Sequence, residues 1–148
     1  MAKPEYKEFV RAYLHAEHDR ADAIRVAIHA DDQADFHLFL GAFLSVMLDK
    51  RFGGSFGVED IRVFVREMEY DYRNNPNPIN PRAVEGFLRA INGEERFFDE
   101  FSMEEQVRAQ FLIITKIAVQ DPAVLLKLDE YLAKADADHA EMVRDLGV

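Results

Sequence analysis

The chain has 148 residues, a formal net charge of −10 and no cysteine. That length suits one helical domain, 1–148, able to bury a core without covalent staples. The missing cysteines exclude disulfides, thiolate metal centres and thiol nucleophiles, and the acidity opposes binding to nucleic-acid phosphates.

Residues 1–9 are polar and charged, so no secretory leader is expected. The longest uncharged apolar run, 38–48, is too short to span a bilayer. These features predict a cytoplasmic protein with no membrane and no nucleic-acid partner.

Six to seven helices are predicted. The first covers 4–30, where Tyr6, Phe9, Val10, Tyr13, Leu14, Ala21, Ile24 and Ile28 recur at helical spacing. His15, His18, Asp22 and His29 fall on the opposite, solvent-facing side, where a metal site would lack supporting groups. Glu17 is read as projecting from the apolar face, where a carboxylate needs a partner. Arg20, Lys116 and His139 are the candidates.

The second helix covers 32–52. Asp31 or Asp32 caps it, Gly53-Gly54 ends it, and it is apolar on nearly every side, as a core helix is. The stretch Gly53-Gly54-Ser55-Phe56-Gly57, next to Arg51, has glycines and free amides that can cradle an anion. It lacks the Lys-Ser/Thr ending of a P-loop, so a plain turn is the simpler reading.

The third helix covers 58–73, with Ile61, Phe64, Val65, Met68 and Tyr72 on one stripe. Arg62, Arg66 and Arg73 line its outer side, interleaved with Glu69. Pairing within the helix is their simplest role, and an acidic patch on a second copy is the alternative. The loop Asn-Asn-Pro-Asn-Pro-Ile-Asn-Pro follows. Pro76 and Pro78 stiffen it, as a recognition segment or as a spacer.

Asn80 and Pro81 start the fourth helix as cap and first-turn proline, and Asn92-Gly93 stops it. Tyr70 and Phe87 are interface anchors if exposed. A short element over 94–101 turns Phe97, Phe98 and Phe101 inward. Ser102 and Glu105 form a capping box for the sixth helix, 103–120, which is apolar nearly all round apart from Thr115 and Lys116. Asp121-Pro122 starts the last helix, which runs to 145. His139 sits in the centre of its apolar stripe. Asp136-x-x-His139 has the spacing of helical di-metal ligands, but Glu17 is the only further inward carboxylate.

The fold expected is therefore an all-α bundle of six to seven helices, with 32–52 and 103–120 central. No cofactor fingerprint, complete ligand set or serine triad is present, and no cofactor is expected. A non-enzymatic interaction or regulatory module follows, pairing as a homodimer or with another protein. Its surface would include Arg62, Arg66, Arg73, Pro76 and Pro78. The alternative is a small-molecule- or metal-binding helical protein, an enzyme included, centred on Glu17, Asp136 and His139.

Overall fold

Pro4 opens α1 (Pro4–Leu14) at a position where its missing N–H forfeits no helical hydrogen bond. The computed structural model describes residues 2–53 and 55–147. Gly54, half of the expected glycine turn and anion cradle, lies outside the described residues. So does Met1, the first residue of the polar N-terminal stretch. Among the described residues every regular element is helical, so the protein is all-α. None of these helices is long and apolar enough to cross a membrane.

The chain divides into two compact units, Met1–Lys50 with Ile117–Val148, and Arg51–Lys116. The first holds α1, α2 (His18–Ala27), a 3-10 turn (Ala30–Asp32), most of α3 (Gln33–Phe52), the end of α6 (Met103–Gln120), α7 (Ala123–Leu126) and α8 (Leu128–Asp145). Its core is aromatic. Phe9 meets Phe36 edge-on at 5.2 Å, and Tyr6 packs on Phe36 and Phe39 at 5.4 and 5.9 Å. Each fully buried side chain of this size contributes roughly 1.5–3 kcal/mol. From Phe36 to Leu48, α3 is buried on most sides, as its apolar run predicts.

The expected first helix is two helices. At the end of α1 the Glu17 amide donates to Ala12 O (2.9 Å) and the Ala16 amide to Tyr13 O (3.2 Å). This paired closure is a Schellman motif, which places its central residue in the left-handed region. That residue is Ala16, at φ 61°. Alanine is the best helix former and gives no stop signal. The chain turns there, and Glu17 leaves the apolar face. The last helix is also interrupted. Lys127 departs from helical geometry (φ −111°, ψ 21°), separating α7 from α8.

The second unit holds α4 (Val58–Asp71), α5 (Pro81–Ile91), a 3-10 turn (Glu95–Glu100) and α6 up to Lys116. The Gly57 amide donates to Asp60 Oδ2 at the start of α4, and the Ala83 amide to Asn80 Oδ1 at the start of α5. Ser102 Oγ accepts from the Glu105 amide at the start of α6. Gly86 lies inside α5 because the Phe101 ring occupies its side-chain space: a Cβ there would sit 2.5 Å from Phe101 Cε2. Phe98, expected inside, is 37% exposed, while Phe97 lies under the guanidinium groups of Arg89 and Arg96.

Candidate functional site

The first turn of α3 carries Asp35, and the fourth turn of α8 carries His139. A carboxylate in the first turn of a helix is favoured by the unpaired amides there. His139 is 3% exposed, with its Nε2 2.7 Å from Asp35 Oδ1. The other carboxylate oxygen accepts from the Tyr6 hydroxyl at 3.0 Å. Tyr6 is fully buried. Burial and the Asp35 carboxylate together push its phenol above the ordinary tyrosine range.

A carboxylate accepts, so Nε2 of His139 donates this hydrogen bond, and Nδ1 is left to find a partner of its own. That Nδ1 is buried and has no partner among the described residues. Leaving a buried polar nitrogen unpaired costs about 1–3 kcal/mol. The imidazole also packs edge-on against Phe39 at 5.9 Å. An apolar side chain could fill that space without the orphaned nitrogen. A polar residue that breaks the core pattern at such cost marks a candidate site.

Asp35 and His139 line a cavity of about 360 Å³ together with Ala140, Val143 and Arg144. The lower end of the range for small-molecule sites is about 300 Å³. Arg144 is exposed and forms no ion pair among the described residues. The Asp35 side chain is 39% exposed.

The expected Glu17, Asp136 and His139 set is not assembled. Glu17, expected on the apolar face, is exposed after the Ala16 turn and pairs with Arg20 at 3.1 Å. Asp136 binds Lys7 Nζ at 2.9 Å and the Ala2 amide at 2.6 Å. Burial pushes its carboxyl up, but those two donors outweigh burial and hold it below the usual carboxylate range. His15, His18, Asp22 and His29 are exposed, as expected. Among the described residues no three His, Asp or Glu side chains are placed to hold a metal ion.

Lys116 is buried, as its place in the apolar run predicts. Its ammonium lies 2.8 Å from Asp71 and 3.3 Å from Glu67, above the Phe64 ring.

The basic stripe of the second unit is redistributed. Arg62 and Arg66 line a groove of about 200 Å³ with Val65, Glu69, Pro81, Arg82 and Glu85. Arg66 reaches Glu59 at 3.5 Å, and Glu85 faces Arg89 at 3.6 Å. Neither Arg62 nor Arg82 has an ion-pair partner among the described residues. Arg73 is not part of this groove. Its guanidinium stacks 3.9 Å above the Tyr70 ring and donates to Tyr70 O. Nor are Pro76 and Pro78, in the loop between α4 and α5. Arg108 fastens that loop by donating to Asn77 O (2.7 Å) and Pro78 O (3.0 Å). Tyr70 is 65% exposed, whereas Phe87 is buried and cannot anchor an interface.

Sequence reasoning missed Asp35, Tyr6, Arg82 and Arg144. Asp35 had one signal: it lies one turn before Phe39 and shares that residue's side of α3. Arg82 directly follows a recognised cap, but only the packing of α4 on α5 brings it beside Arg62. Compared with known proteins, the chain matches no family model, no curated protein and no solved structure.

Proposed function

We propose that this protein is a non-enzymatic, cytoplasmic interaction module that pairs with a second copy of itself through the groove between α4 and α5. The observation that carries this reading is that neither Arg62 nor Arg82 has an ion-pair partner among the described residues of a chain whose net charge is −10. With so many carboxylates available, two arginines left without partners beside a third suit an external anionic surface. Glu69 and Glu85 also line the groove, but Glu85 already faces Arg89.

A second copy offers the complementary surface. Asp99, Glu100, Glu104 and Glu105 are all exposed around the start of α6. Reciprocal docking about a two-fold axis would engage both grooves at once and close the assembly. Such charge pairing sets register and encounter rate, and it weakens with salt.

Sedimentation of the wild-type chain and of the double variant Arg62→Glu, Arg82→Glu tests this. The expected result is a wild-type dimer that loosens as salt rises, and a variant that is monomeric with unchanged helical circular dichroism. A wild-type monomer at low salt and the highest soluble concentration overturns the reading. A variant that dimerises as well as the wild type overturns the groove.

A further inference from the structure

The cavity between the start of α3 and the end of α8 is lined by an acid and a base, Asp35 and Arg144, that form no ion pair with each other. Asp35 accepts from the Tyr6 hydroxyl and from His139 Nε2, and its side chain stays 39% exposed. Lys3, whose field reaches Asp35, is bonded to Asp32 at 2.6 Å. Arg144, which lines the same cavity, forms no ion pair among the described residues. Ala140 and Val143 supply apolar surface.

We propose that this cavity binds a small zwitterion of the amino-acid class, with its ammonium on Asp35, its carboxylate on Arg144 and its hydrocarbon part against Val143 and Ala140. Two unlike charges that line one cavity without pairing match a ligand that carries both charges. A simple anion would meet Arg144 and be repelled by Asp35, and a simple amine the reverse. A guanidinium takes a carboxylate through two parallel hydrogen bonds. Asp35 is already oriented by two fixed donors, so it loses little side-chain freedom on binding. The volume, about 360 Å³, suits a ligand smaller than a dinucleotide or a haem.

Buried, partnered Tyr6 and His139 thus act as positioning residues. They hold both carboxylate oxygens while leaving the group accessible from the cavity. Neither needs to touch the ligand.

The test is an amide NMR titration of the full chain with L-alanine and L-valine. Propionate and ethylamine, each carrying one charge only, serve as controls. The amino acids are expected to shift Ala140, Val143 and Arg144 saturably, with Kd near or below about 1 mM. The single-charge controls should bind at least about tenfold more weakly, the value of one charge-assisted hydrogen bond. Arg144→Gln changes an exposed side chain and leaves the Asp35 trio intact, so it should fold normally and lose at least about tenfold in affinity. No saturable shift with either amino acid overturns the proposal. So does propionate or ethylamine binding as tightly as L-alanine, or undiminished binding by Arg144→Gln.

Discussion

Nε2 of His139 lies 2.7 Å from Oδ1 of Asp35, joining two residues 104 positions apart in the chain. The bond occupies one carboxylate oxygen, and Tyr6 occupies the other. Asp35→Ala would leave two donors on buried residues, the Tyr6 hydroxyl and the His139 Nε2–H, without their acceptor. Each orphaned donor costs about 1–3 kcal/mol. The Tyr6 hydroxyl keeps a long contact to Asp32 O at 3.4 Å, so the expected loss is about 2–4 kcal/mol. Urea denaturation measures it. Adding His139→Leu to Asp35→Ala should recover part of that loss, because it removes both the stranded Nε2–H and the unpaired Nδ1. A loss below about 0.5 kcal/mol, the level of an ordinary surface substitution, would show that the trio does not stabilise the first unit.

Asp136 supplies a pH signature. Lys7 and the Ala2 amide hold its carboxyl below the usual range despite burial. A depressed folded-state pKa means that the native state resists protonation. The resulting stabilisation is complete above the unfolded value, about 3.9, and is lost as pH falls through the folded value. Wild type should therefore exceed Asp136→Asn in unfolding free energy at neutral pH. The gap should narrow as pH falls below about 4. Paired urea titrations across that range check the sign. A gap that widens on acidification would rule out this linkage.

Legibility in the sequence followed the strength of local signals. Asn80, Ser102 and Asp121 announce helix starts through side-chain oxygens, and each accepts from the expected amide. The apolar run of α3 places that helix in a core without further information. His139 and Lys116 were visible as polar residues inside apolar stripes, and both are buried. Their partners were not visible. Asp35, Asp71 and Glu67 reach them through tertiary packing, which periodicity along one helix does not encode. Glu17 was misplaced for a local reason: the turn that redirects it is built on alanine.

That turn yields a prediction with a decisive sign. Ala16 holds φ 61°, where an L side chain costs about 1–2 kcal/mol. Glycine adopts this region freely, but it adds backbone entropy to the unfolded chain worth about 0.5–1 kcal/mol. Ala16→Gly is therefore expected to leave stability unchanged or raise it by up to about 1.5 kcal/mol. In a continuous helix over 4–30 the same change would cost about 1 kcal/mol. Thermal or urea unfolding of the single variant separates the two geometries.

Lys116 tests whether a buried charge stabilises its unit. Its side chain is 1% exposed, while those of Asp71 and Glu67 are 47% and 38% exposed. The lysine thus bears most of the desolvation, and the two carboxylates stay partly hydrated. Replacing a buried ion pair with an apolar side chain of similar shape is often neutral or stabilising. Methionine keeps the unbranched stem that packs near Phe64 and removes the charge. Asp71 returns to water, and Glu67 keeps Arg51 at 3.6 Å. Lys116→Met is expected within about 1 kcal/mol of wild type, on either side. Lys116→Ala leaves a cavity as well, and should cost about 2–3 kcal/mol more than the methionine variant. A loss of about 3–5 kcal/mol in Lys116→Met would instead mean that Asp71 and Glu67 depend on the ammonium for their solvation.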